Sequence, residues 1–327
     1  MRCIIVMDLF APFSFLLVLI ALCLFEIVNS IDNAIVDAEV LASVAKKSRR
    51  IFMFIDTVFS ILIVRGLLPW LIVFATIPSL GFFGAFNATG TGGEEVQLAI
   101  DTALPFLLIA AGTFFILLFF DWIFRKPKNF AHIHEKILHG RDELFHIFLL
   151  IFLGVMVFAS LAVNPIFVMP IFIGATVFFV LHGIKTHFLL HKKSLASGEG
   201  KNLPDVNKLA YLEIIDAVFS VDSVLGAFAF TFSVPLIVIG AGLGAVVVRL
   251  ITLKNIDKLK KYAYLRNGAM YSILFLGLSM LLEAFGVDLP LWLSPVITII
   301  IIFYFIHRSH QEAKLLHALE VEVHLAR

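Results

Sequence analysis

Nothing in this sequence limits the fold as much as its apolar runs of about twenty residues, such as residues 103–120, "ALPFLLIAAGTFFILLFF", which carry no charge. Hydrocarbon cannot hydrogen-bond a bare backbone, so such runs are helices or the strands of a closed barrel, and the alternation a barrel strand needs is missing. With 61% hydrophobic residues, 15% charged residues and a mean hydropathy of +1.02, the chain reads as an all-α polytopic membrane protein whose first partner is the lipid bilayer. No P-loop, HExxH, GxSxG or nucleic-acid-binding pattern is present, so neither an enzyme nor a nucleic-acid partner is expected. Cys3 and Cys23 have no metal-ligand spacing, and no prosthetic group is implied. Residues 1–25 lack a small-x-small cleavage site and run straight into an acidic motif, so they read as the first transmembrane helix.

About nine spans are expected, at roughly 11–38, 51–78, 102–124, 145–163, 166–186, 209–231, 234–253, 268–286 and 291–307. All but three of the 25 basic residues lie in every second connection: Lys46–Arg50, Arg125–Arg141, Lys185–Lys208, Lys254–Arg266 and the tail from Arg308. The exceptions are Arg2, Arg65 and Arg249. Basic residues favour the cytoplasmic side of short loops, which puts the N-terminus outside and the C-terminus inside, as an odd number of crossings requires. The expected localisation is a multi-pass protein of the cell inner (cytoplasmic) membrane.

Within the first span, "FEIVNSIDNAIVDAEVL" (Phe25–Leu41) brings carboxylates into an apolar setting, and "EIIDAVFSVDSVLGAFAF" (Glu213–Phe230) repeats the pattern. A shift of 190 residues lays Asp32 on Asp222, Glu26 on Asp216 and Ser30 on Ser220, a shared [ED]-x-V-x-S-[IV]-D. With slight gapping, "ILIVRGL" matches "AVVVRLI", pairing Arg65 with Arg249. The first motif helix runs inward and the sixth outward, so helices 1–3 and 6–8 form an inverted-topology repeat. Secondary transporters are built this way, with half-sites meeting near the bilayer midplane. The expected transmembrane domain covers residues 1–308: repeat one (about 11–124), linker helices (145–186), repeat two (about 209–286) and a final helix (291–307). A cytoplasmic amphipathic tail, 309–327, follows.

An ionised Asp at a span centre costs about 2.5–3.5 kcal/mol on insertion scales, so these carboxylates must face the bundle interior and find partners there. On a straight helix the six-residue step from Glu26 to Asp32, or from Asp216 to Asp222, leaves the two about 120° apart. A helix break near Ser-x-Asp in each motif is therefore expected, so that carboxylate, hydroxyl and freed carbonyls converge. Such oxygen ligands suit a hard divalent ion, Mn²⁺, Mg²⁺ or Ca²⁺. The candidate ligands are Asp32, Asp222, Asp216 and Glu26, with Asn33, Ser30, Ser220 and Ser223 as neutral donors. The cation enters as transported cargo.

The motifs "EIVNSIDNAIV" and "DAVFSVDSVLGAF" resemble the paired signature of the TerC family of integral membrane proteins, and "LRNGAMYSILFLGLSMLL" is similar to that family's penultimate conserved helix. The resemblance covers most of residues 20–285. It implies a bacterial inner-membrane protein related to tellurium-resistance proteins and manganese exporters, within a wider group of cation and amino-acid exporters. The family's intramembrane acids match Glu26, Asp32, Asp216 and Asp222, and its Asn matches Asn33. Departures are Ser279, where many relatives carry Lys in a G-x-K-M pattern, and the extra Asp37 and Glu39.

The plainer reading of Asp32 and Asp222 is a structural lock with Arg65 and Arg249, and the two readings coexist if an Arg competing for the carboxylates acts as a gate. Asp56, in "FIDTVFSIL", reads as a further ligand or proton carrier, or as a residue near the inner surface; Glu213 is a second candidate proton carrier. His132, His139 and His146, like His310, His317 and His324, recur every seven residues, as a metal- or pH-sensing face or an ordinary polar stripe would. Glu94, Glu95 and Asp101 read as a solvated outer loop. The expected function is export of a divalent cation, Mn²⁺ first, in exchange for protons. An amino-acid or small-solute exporter and a non-transporting accessory protein are the alternatives, and a homo-oligomer is compatible with all three.

Overall fold

The computed structural model describes residues 7–42, 44–85, 94–126, 135, 138, 140–196, 204–259 and 264–325. Every regular element among them is helical, and eight helical stretches are long and apolar enough to cross a membrane. The chain is an all-α multi-pass membrane protein. Helix α1 (Met7–Ala42) has 36 residues, about 54 Å at the usual rise, and so outreaches a hydrocarbon core of about 30 Å. The second crossing is composite: α2 (Lys46–Phe59), a π-helical stretch (Ser60–Leu67) and α3 (Leu68–Thr76). Then come α4 (Glu94–Arg125), α5 (Asp142–Val163) and α6 (Val168–Ala196). The second half holds α7 (Asp205–Phe219), α8 (Val221–Ala227), α9 (Val234–Leu259), α10 (Leu265–Ala284) and α11 (Leu293–Leu325).

The stretch expected as the sixth span is divided at Ser220 (φ −79°, ψ −8°) into α7, of 15 residues, and α8, of 7. Neither alone is long enough to cross, whereas together they reach about 34 Å. The first motif departs from expectation, because α1 runs through it unbroken. Glu26 and Ser30 are four residues apart on one face there, and Ser30 Oγ donates to Glu26 Oε1 at 2.6 Å without any break. The irregularity of the first half falls instead in the π-helical stretch of its second crossing. Helix α11 also continues past residue 308, where a separate tail is expected, as far as Leu325.

Local chemistry explains several of the joints. Asp142 and Glu143 open α5, where carboxylates favour the helix dipole. Asn164 ends it: its Oδ1 accepts from the Ile166 N–H at 3.1 Å, and Pro165 starts the turn into α6. Gly286, at φ +90°, supplies the left-handed turn that closes α10.

The two halves meet through broad helix contacts. α1 packs along α9, α4 along α10, and α9 against the π-helical stretch, while α6 lies on α4 and α11 on α10 and α1. Burial follows this pattern: 56% of the α4 span and 61% of the α10 span are buried, against 22% for α5, which makes α4 and α10 the centre and α5 the rim. Phe158 and Leu150 on α5 and Phe172 on α6 are exposed to what would be lipid. The α1–α9 approach depends on the small residues of "GAGLGA", since lipid-embedded helices associate by close packing. A Cβ at Gly244 would sit 2.7 Å from the Cys23 carbonyl oxygen and 2.7 Å from Glu26 Cβ.

Gly244→Val is therefore expected to destabilise the purified protein by about 1–3 kcal/mol, as overpacking does. Gly154→Ala, on α5 with nothing within 4 Å of the added carbon, should be neutral or stabilise by up to about 1 kcal/mol. Thermal unfolding in detergent checks both; equal behaviour of the two variants would remove Gly244 from the interface argument.

Candidate functional site

At the middle of α1, Glu26 is fully buried. Its Oε1 accepts from Ser30 and from Arg65 Nη2, and its Oε2 accepts from Ser223 Oγ on α8. Arg65 in turn donates through Nη1 to the Ser60 hydroxyl and, at 3.0 Å, to the Ser60 carbonyl. A five-residue step on an α-helix would put Ser60 and Arg65 about 140° apart, whereas a π turn, with its i to i+5 register, stacks them. The π-helical stretch is thus what lets one backbone carbonyl and one hydroxyl brace the guanidinium that neutralises Glu26. Ser223 adds a tie from the other half.

The second half carries the counterpart. Arg249 Nη2 lies 3.6 Å from Asp216 Oδ2, and the repeat lays these residues on Arg65 and Glu26. Arg249 also crosses to the first half, where Asp56 receives its Nε and, at 2.6 Å, its Nη2. Asp56 is 2% exposed and sits in a buried ion pair. Glu213, one turn before Asp216 on α7, is close enough to Asp56, Asp216 and Arg249 to feel all three charges. Beside this cluster lies a small, partly open cavity, with Ser30, Asp56, Asp216, Ser220 and Arg249 among its walls. Leu41, Phe52 and Met53 also line it, which places it toward the end of the bundle where α1 gives way to α2.

Asp222, read as a cation ligand or as one half of a lock with Arg65 and Arg249, pairs with a lysine. Its Oδ2 receives Lys185 Nζ at 2.6 Å. Lys185, read in sequence as part of a basic connection, belongs to the membrane span of α6. One turn earlier His182 Nδ1 stands 3.4 Å from the buried Asp121, which also pairs with Arg125 at 3.2 Å and Lys126 at 3.5 Å. Sequence reasoning passed over Asp121, His182 and Lys185, although "LHGIKTHF" does interrupt an apolar run with polar groups at helical spacing. Glu135 was missed too: fully buried, it accepts from Asn267 Nδ2 at 2.8 Å and Tyr271 Oη at 2.9 Å, tying the α4–α5 connection to α10.

Of the expected ligands, Glu26, Ser30 and Ser223 form one network, Asp216 and Ser220 share the cavity wall with Ser30, and Asp222 lies one residue before Ser223. Asp32 and Asn33 lie on α1 between Ser30 and Ala34, two residues that line the cavity; their side chains are outside the described residues. Among the described residues Arg65 and Arg249 form ion pairs with Glu26, Asp56 and Asp216. Among the described residues no three of His, Cys, Asp and Glu are grouped as a metal centre would need. His146 and His310 are exposed, and the side chains of His132, His139, His317, His324, Glu94, Glu95 and Asp101 are outside the described residues.

Among the described residues, Glu26, Asp56, Asp216 and Asp222 are paired with Arg65, Arg249 and Lys185 inside the bundle, with Glu213 one turn before Asp216. A region of this kind attracts cations and protons.

A family model described as "Protein of unknown function (DUF475)" matches residues 31–315. That range takes in Asp32 and the whole second motif and begins just after Glu26 and Ser30. No curated protein and no solved structure matches the chain.

Removing one member of a buried ion pair strands the other's charge, at a cost of about 3–5 kcal/mol, whereas replacing both members is close to neutral. Arg65→Met should accordingly lower thermal stability sharply, and the double variant Glu26→Gln/Arg65→Met should regain most of the loss. A double-mutant cycle in detergent measures this; additive losses would mean the two side chains are not coupled.

Proposed function

We propose, for a chain that belongs to the DUF475 family, a secondary transporter that exports a divalent cation, Mn²⁺ first among the candidates, in exchange for protons. The observation that carries this reading is the duplicated ion pair, Glu26–Arg65 in one half and Asp216–Arg249 in the other, beside a cavity walled by both motif helices. A structural lock needs one such pair. Two, related by an inverted repeat, give each half an equivalent place where a guanidinium holds a carboxylate that a cation could take over. Carboxylates gathered inside the bundle supply charge that cargo or protons would balance. Interruption of the sixth span at Ser220, between Asp216 and Asp222, lies where transporter helices commonly break to expose backbone to a ligand.

Alternating access then consists of the halves rocking across the α1–α9 and α4–α10 contacts. In the conformation described, the cavity lies at the end where the basic Lys46–Arg50 connection begins, which we assign to the cytoplasm. On that assignment this is the inward-facing form in a bacterial inner membrane. The resemblance of both motifs to the TerC signature points to the same class of transport.

One observation favours a second reading. Arg249, beside Asp56 and Asp216 in the cavity wall, could hold the carboxylate of a zwitterion while the two acids hold its ammonium. An amino-acid exporter would use the same site.

Proteoliposomes decide between them. Flux of Mn²⁺, Mg²⁺ or Ca²⁺ that responds to a pH gradient, and falls at least tenfold in Asp32→Asn and in Asp216→Asn while both variants keep their gel-filtration profile, is the expected outcome. Folded wild-type protein that moves none of the three ions would sink the divalent-cation reading and direct the assay to amino acids.

A further inference from the structure

The pair of Lys185 and Asp222 stands outside the repeated pattern. Asp222 has a counterpart in Asp32, but Lys185 comes from α6, a linker helix between the repeats. Its ammonium touches one oxygen of the carboxylate at 2.6 Å. The other oxygen, Oδ1, is buried and accepts no hydrogen bond among the described residues. Asp222 as a whole is 8% exposed, so this is a deeply placed acid with half its acceptor capacity unused. Its neighbour Ser223 is bonded to Glu26, and Ser220, two residues earlier, lines the cavity. A cation seated on both Asp222 oxygens would therefore lie between the networks of the two halves. Lysine is a compact charge on a flexible four-carbon stem, able to withdraw without any helix moving.

We propose that Lys185 is a tethered substitute for the transported cation: its ammonium occupies Asp222 when no cation is bound and is displaced when one arrives. This deepens the transport reading and rests on it. Asp222 is then never bare inside the membrane, in either the loaded or the unloaded carrier. The cargo in turn must compete with a permanent neighbour, and its apparent affinity is reduced by the fraction of time that neighbour occupies the site.

The test is Mn²⁺ binding to the full-length purified protein by calorimetry, comparing wild type with Lys185→Met and Lys185→Arg, with wild-type flux measured in parallel. Removing the competitor in Lys185→Met should tighten binding about tenfold, the gain expected if Lys185 holds the site about nine-tenths of the time. Lys185→Arg should weaken binding, since a guanidinium fork can engage both carboxylate oxygens. Lys185→Met should also be less stable than wild type without metal and gain more thermal stability from Mn²⁺. A merely structural tie predicts the opposite order, with Lys185→Met binding no better than wild type, and that result overturns the inference while leaving the transport reading intact. If Lys185→Met does not fold, Lys185→Arg decides: weaker binding than wild type supports the proposal, and equal or tighter binding rejects it. A wild type that neither binds nor moves Mn²⁺, Mg²⁺ or Ca²⁺ overturns both readings.

Discussion

Glu26 carries a carboxylate with no exposed surface in the middle of a helix that lipid would surround, and the rest of the site follows from what that charge requires. It cannot reach water, so the protein must supply every partner. Ser30 does so from its own helix, Arg65 from the next crossing and Ser223 from the opposite half. Each donor brings a structural consequence. Arg65 is aligned by the π-helical stretch that stacks it on Ser60, and Ser223 ties α8 to α1. Gly244 permits the approach of α9 to the same turn of α1, where its missing side chain leaves room for the stem of Glu26.

The second half repeats this solution without copying it. Asp216 and Arg249 repeat the acid and base, but Arg249 is shared with Asp56 of the first half, and Asp222 depends on a lysine from the linker. The first motif keeps an unbroken helix and has a π-helical stretch in its partner crossing; the second interrupts the motif helix itself. Contacts such as Glu26–Ser223 and Asp56–Arg249 run between the halves, so any rocking motion must break or exchange them.

Much of this was legible beforehand. Eight of the nine expected spans coincide with helical stretches long and apolar enough to cross a membrane, and the sixth is the one that is interrupted. Backbone polar groups must be satisfied inside a bilayer, and long apolar runs therefore read as helices. The pairing of Glu26 with Asp216 and of Arg65 with Arg249 was visible as a repeat, and the interruption at Ser220 was anticipated from the angular mismatch of two carboxylates six residues apart. One related expectation fails: no break occurs in α1, and Arg65 reaches Glu26 from another crossing instead. Lys185 was assigned to a basic connection because its position near the end of an apolar run says nothing about which way a long side chain turns.

The sequence by itself determined an all-helical membrane protein, the order of its crossings and the acids and bases that lie within them, since lipid imposes those constraints one segment at a time. Which base neutralises which acid was decided only by the tertiary structure. Ion pairing is set by distances between side chains on different helices, and residues 26 and 223, 56 and 249, or 185 and 222 become neighbours only after α1, α6, α8, α9 and the π-helical crossing have packed together.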